Sequence, residues 1–250
     1  MCRLFAWHST MPVTTNQALG EDAAALAKLS EFHSDGWGLA YGNGASVDVV
    51  REPVAAHGSE NFAEVTQSIA AKEAIVHLRF ATLELPVCLA NTHPFLKDGP
   101  NGQVAFCHNG SIPLGAQLDG LIDADLLRDI TGDTDSERYF AALLSSMRRH
   151  DGDVVEAYRE LLKDLSSLKY TSANAMVLTD HDLFVLCAHN PENRAEMFSA
   201  EYYEIHWRNV DGVVSAWSQG VREPGGHFLD NGHLLQISRA TGVTTIHHVS

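Results

Sequence analysis

Apolar and polar positions change rhythm several times along the chain. An apolar run, "RLFAW", opens it and reads as a strand. In "TTNQALGEDAAALAKLSEF", Thr14 and Gln17 have capping-box spacing, and alanines and leucines then recur on one face, which predicts a helix over 17–30. "GWGLAYGNGASVDVVRE" predicts two strands joined at Gly42-Asn43-Gly44, a hairpin turn signal. A helix is expected over 61–71. "EAIVHLRFAT" is an apolar run rich in β-formers and predicts a buried strand. "QVAFCHNG" predicts another, ending in a glycine turn. Past residue 120, helical periodicity covers 136–150, with Asp135 at the N-cap and Arg148, Arg149 and His150 at the end, as the helix dipole favours. A second helix is expected over 154–165. After it, "NAMVLTD", "LFVLCAH", "GVVSAW", "HLLQIS" and "VTTIHHV" alternate strands with turns. Strands, a helix pair and more strands, with no linker or repeat, predict sheets layered with helices in one domain over 2–250.

Charge narrows the function. The chain has 250 residues, 17 Lys and Arg against 32 Asp and Glu, and a formal net charge of −15. Such a surface repels phosphate backbones and anionic membranes, so neither nucleic acid nor membrane is expected as a partner. Arg3, His8 and Pro12 interrupt the first residues too early for a signal-peptide core, and a cytoplasmic location is expected. Cys2, Cys88, Cys107 and Cys187 match no disulfide framework, and no CxxC pair is present. The 14 histidines are scattered without HExxH, so no metal and no cofactor is expected.

Several polar residues sit where packing alone does not ask for them. Gly36 and Gly38 flank Trp37, at a point where the backbone needs unusual angles or close approach. Arg79 lies in an apolar strand, which is expensive unless an anion pairs with it; a structural salt bridge is the plain alternative. Asn109-Gly110 ends a strand and in isolation is a turn dipeptide. Asp135 by propensity alone is a helix cap. His77 and His108 read as hydrogen-bonded strand residues, and Cys88, Cys107 and Cys187 as small buried apolar ones.

Six stretches, "MCRLF", "DGWGLAY", "HLRFAT", "NTHPF", "CHNG" and "GDTDSE", occur in an order that resembles the class II glutamine amidotransferases, the glutaminase domains with an N-terminal cysteine nucleophile. The resemblance spans residues 2 to about 137 and is greatest to the short stand-alone members. It implies an α+β, four-layer αββα sandwich of two antiparallel sheets between helix layers. It implies Cys2 as nucleophile once Met1 is removed, with Asn109 and Gly110 as the oxyanion hole. Arg79 then binds the α-carboxylate and Asp135 the α-ammonium of a glutamyl substrate. Thr82 lies in the substrate loop, Gly36 and Trp37 stand near the pocket, and Asn91 and His93 support it.

The chemistry is self-consistent. A free thiol has a pKa of about 8.5 and needs a base. A free α-amine, with a pKa of about 7.7–8.0, is one, so a terminal cysteine holds nucleophile and base together. The expected activity is hydrolysis of the γ-amide of glutamine or of a γ-glutamyl amide, through a γ-glutamyl thioester on Cys2. Two alternatives stand beside it: a glutaminase subunit that delivers ammonia to a separate synthase, and an inactive glutamine-binding sensor.

Overall fold

The strands alternate side chains between two faces, and here both faces are buried. In β1 (Arg3–Thr14), Leu4 and Ala6 enter one apolar layer while Phe5 and Trp7 enter another. A strand covered on both sides has to be an unbroken apolar run, which is what "LFAW" supplies. The computed structural model describes residues 2–44, 46–81, 85–194, 199–221 and 226–250.

β1 is central in a seven-stranded sheet, ordered β11 (His227–Leu229), β9 (Ile205–Val210), β10 (Val213–Ser218), β1, β4 (Ala70–Leu78), β2 (Trp37–Asn43) and β3 (Ser46–Glu52). A second, six-stranded sheet is ordered β13 (Thr244–His248), β12 (His233–Ser238), β8 (Asp182–Cys187), β7 (Ala173–Thr179), β6 (Gly102–Gly110) and β5 (Phe95–Gly99). Every paired neighbour is antiparallel.

Three apolar layers define the stacking. Between the sheets, Leu4, Ala6 and Ile75 meet Ala105, Cys107 and Met176. Outside the first sheet, α1 (Thr15–Leu19), α2 (Ala23–Leu29) and α3 (Glu60–Ser68) pack Leu19, Leu26 and Phe62 over Phe5, Trp37 and Trp217. Outside the second lie the short α4 (Ala116–Asp119) and α5 (Ala124–Arg128) with the longer α6 (Asp135–Arg149) and α7 (Val154–Leu165). The result is an α+β sandwich of two antiparallel sheets between helix layers. Among the described residues no helix is long and apolar enough to cross a membrane.

The local signals set most element ends. Thr14 and Gln17 form the reciprocal capping box, at 2.9 and 3.2 Å. Asp153 caps α7, which runs over the expected residues. Four expectations need correction. The helix over 17–30 is broken at Gly20, whose φ of +64° ends α1, and one 3-10 turn separates it from α2. The helix over 61–71 ends at Ser68, because Ala70 already pairs with Thr14 in the sheet. Thr134, not Asp135, caps α6: its hydroxyl accepts the Glu137 N–H at 3.1 Å, which leaves the Asp135 carboxylate free for other work. Arg79 follows β4 instead of lying inside it.

Candidate active site

Cys2 stands one residue before β1 and is buried. Its main-chain N–H donates to Asn109 Oδ1 at 3.0 Å, which joins the start of the first sheet to the end of β6 in the second. Its thiol faces the Phe80 carbonyl oxygen at 3.9 Å. Burial raises the thiol above its ordinary pKa; the positive chain terminus, the Phe80 contact and Arg79 oppose that rise. The buried Asn109 uses its oxygen on Cys2, and its Nδ2 has no partner. An unpaired amide N–H₂ beside a thiol is a ready donor for an oxyanion. Gly110 is required sterically, because a Cβ there would run into the Ser172 main chain.

Among the described residues, Arg79 is held by main-chain groups only. Its own N–H donates to Gly36 O at 2.7 Å, and Nη1 donates to Asp35 O at 3.2 Å and Pro86 O at 3.5 Å. Nη2 is buried without a partner. Asp35 in turn accepts the Ala81 N–H on Oδ2 at 2.7 Å, so one short segment fixes both sides of the Arg79 loop. Asn91 ties this loop to the next element: Nδ2 donates to Pro86 O at 3.0 Å, and Oδ1 accepts the Asp133 N–H at 2.8 Å.

Asp135 opens α6 and accepts the Ile112 N–H on Oδ2 at 2.6 Å. Ser136 links it to the Asn109 strand. His108 Nε2 lies 3.0 Å from the Ser172 carbonyl, which only accepts, so Nε2 carries the proton. Nδ1 is then the acceptor for the Ser136 hydroxyl at 2.9 Å. Glu137 accepts the Thr131 and Gly132 N–H groups, at 3.1 and 2.7 Å, which shapes the turn that presents Asp135. His108, the residue beside Asn109, is thus a neutral pin to Ser136, the residue beside Asp135. Burial lowers its pKa, although Asp135 opposes this.

His77 and His93 fill the space beneath, with ring centroids 4.2 Å apart. His77 Nε2 donates to His108 O at 3.2 Å. Burial pushes His77 down to about 3 and His93 well below the usual histidine value, and neighbouring cations add to both shifts. These rings stay neutral, and among the described residues no three His, Cys, Asp or Glu side chains cluster as metal ligands would.

The sequence model of the class-II glutamine amidotransferases matches residues 1–211 of the chain. The chain belongs to that family. An uncharacterized Methanocaldococcus jannaschii protein is 31% identical over 207 residues, 78% of this chain and 55% of that protein. The chain therefore spans about half the length of that relative. A Haemophilus influenzae protein, named only as a candidate glutamine amidotransferase, is 28% identical over 86% of this chain and 71% of its own. Among solved structures, a glutamine aminotransferase class-II domain protein from Silicibacter pomeroyi superposes with a TM-score of 0.66 at 17% identity, covering all of both chains. The glutamine phosphoribosylpyrophosphate amidotransferase of Bacillus subtilis gives 0.66 at 18% identity, over all of this chain and 49% of that one. These two likenesses concern the fold.

Of the residues expected at the site, the structure brings Cys2, Arg79, Asn109 and Asp135 to one region; both Arg79 and Asp135 act electrostatically on the Cys2 thiol. Gly110 lies beside Asn109, and Thr82 lies outside the described residues. Trp37 needs correction. Strand alternation turns its ring outward, edge-on to Phe62 at 5.1 Å in the helix-covered core. The glycines around it seat a loop. A Cβ on Gly38 would strike the His93 carbonyl, and one on Gly36, whose φ is +144°, would lie 3.0 Å from Thr92 Cγ2. "DGWG" therefore lets "NTHP" lie flat on the sheet, and Gly36 supports Arg79 through its carbonyl. Sequence reasoning missed Asp35, Ser136 and Glu137. Asp35 was readable as the acidic residue of "DGWG", and Ser136 and Glu137 stand at the end of "GDTDSE"; only their partners needed the fold.

Proposed function

We propose that this chain hydrolyses the γ-amide of glutamine or of a γ-glutamyl amide through a γ-glutamyl thioester on Cys2. The observation that carries the reading is Asn109, whose oxygen holds the Cys2 nitrogen while its Nδ2 is buried and unpaired. Removal of Met1 converts that nitrogen to an α-amine in the same place. The raised thiol is protonated at rest and needs the base beside it.

In this mechanism the amine takes the thiol proton as sulfur attacks the γ-carbonyl. Asn109 Nδ2 and the Gly110 N–H receive the oxyanion, in a site where such donors act at short range and low dielectric. Collapse expels the amine, which takes its proton back from the α-ammonium. Water then cleaves the thioester and releases glutamate. Arg79 Nη2 suits the substrate α-carboxylate, and the Asp135 carboxylate suits its α-ammonium.

The test is glutamate release by the purified protein from glutamine and from γ-glutamyl amides, with intact mass before and after diazo-oxo-norleucine. Expected are loss of Met1, one covalent adduct on Cys2, and no turnover by Cys2→Ala. Retained Met1 with full turnover, or an active Cys2→Ala, overturns the reading. Low glutamine turnover that rises with an added synthase favours the ammonia-delivering subunit. Binding of glutamine without any turnover favours the sensor.

A further inference from the structure

Two buried guanidinium groups lie near Cys2 without a carboxylate partner among the described residues. Arg79 is one. Arg3 is the other, 9% exposed, on the residue after the nucleophile. Its Nη1 donates to the Cys2 carbonyl oxygen at 3.3 Å, and its guanidinium carbon lies 4.1 Å from the centre of the Tyr202 ring. Nε is buried with no hydrogen-bond partner. The groups that favour its charge are Tyr202 and Cys2, while burial opposes it. In a chain with 32 carboxylates and 17 basic side chains, a buried arginine without an acid is set against the composition.

The position of Arg3 assigns it to one side of the reaction. The leaving nitrogen has to lie beside the Cys2 amine to recover its proton, and Arg3 contacts the carbonyl of that same residue. His33 stands close by, its ring 6.2 Å from that of Phe80, whose carbonyl faces the Cys2 thiol, and the charge of Arg3 acts on it. His33 Nδ1 donates to Leu29 O at 2.8 Å, so Nε2 presents a lone pair, which is buried and unpartnered. Burial, Arg3 and the terminus hold this ring down to about 4, hence neutral at pH 7. Phe32 and Phe80 stack at 4.8 Å beside it, and Phe80 is the residue whose carbonyl faces the thiol. Ammonia, the leaving group of glutamine, would use none of these groups.

We infer that Arg3, stacked on Tyr202, binds a carboxylate carried by the leaving amine, so that the preferred substrate is a γ-glutamyl amino acid or γ-glutamyl peptide. The inference rests on the hydrolase reading above. His33 accepts an N–H of that leaving group, and the Phe32–Phe80 pair covers its apolar part.

Four substrates test it on the purified chain: γ-glutamylglycine, γ-glutamylglycinamide, γ-glutamylethylamide and glutamine. The first two differ only in the carboxylate. The expected kcat/KM ratio between them is about tenfold or more. Arg3→Met is expected to bring that ratio near one, and Arg3→Lys to keep part of it. A ratio within one enzyme is insensitive to partial misfolding; if Arg3→Met does not fold, the wild-type pair and Tyr202→Leu, expected to lower the ratio, decide. Equal rates on the two dipeptides, or an undiminished ratio in Arg3→Met, overturn the inference. Turnover of glutamine alone overturns it while leaving the hydrolase reading standing. Turnover of none of the four overturns both.

Discussion

Strand β4 carries a buried ion near each end, and the two are treated oppositely. At its start Glu73 meets Arg239, whose Nε donates to Oε1 at 2.8 Å, while Nη1 and Nη2 reach the carbonyls of Thr179 and Gly44 at 2.7 and 3.2 Å. That guanidinium is satisfied on every nitrogen and clamps the two sheets together. Past the other end Arg79 has two long carbonyl contacts, an idle Nη2 and, among the described residues, no acid. The same residue type is buried in both places. One has its counter-ion inside the chain and is structural. The other leaves an N–H unpaired in the region of Cys2, as Asn109 does. Unspent polar groups in a dry interior mark where a ligand belongs.

Breaking each half of this comparison should give opposite signatures. Glu73→Gln strands the Arg239 charge and is expected to lower stability by about 3–5 kcal/mol, read by urea unfolding, with turnover per folded molecule unchanged. A loss below about 1 kcal/mol would mean that Arg239 is no clamp. Asn109→Ala removes the idle donor and is expected to lower kcat by about 10²–10³; a kcat within a few-fold of wild type would take Asn109 out of the oxyanion hole. Arg79→Met is expected to weaken a γ-glutamyl substrate by at least about 2 kcal/mol, some 30-fold in KM. Its stability should change by less than about 1 kcal/mol, because no carboxylate is orphaned. A large stability loss there would make Arg79 structural.

The smallest effect concerns pH. Above about pH 6.5, buried histidines and their unfolded counterparts are both neutral, and no penalty exists. Below it the unfolded chain binds protons that the folded chain refuses until about pH 4 at His33 and about pH 3 at His77. Stability therefore falls as pH drops through this window, by up to about 1.4 kcal/mol per unit for each histidine. Unfolding free energies between pH 7 and 5 measure it, and His77→Gln should flatten the curve.

Local rules reached far into this fold because its signals are local. The Thr14–Gln17 box, the Asp153 cap and the unbroken apolar strands are each settled within a few residues. The rule failed where a distant partner outranked propensity. Ala70 and Ala71 suit a helix, yet they pair with Thr14 and Val13. Trp37 sits inside a functional motif, yet alternation sends it to the core.

The order of six short motifs pointed to Cys2, Arg79, Asn109 and Asp135, because the proposed chemistry needs a particular side chain at each place. Only the tertiary structure decided which polar groups are spent. Asn109 spends its oxygen on Cys2 and keeps its nitrogen; Arg239 is consumed by Glu73 while Arg79 and Arg3 are not. Pairing is a property of distance in three dimensions, between residues such as Glu73 and Arg239, 166 positions apart in the chain. Residue type and spacing do not encode it.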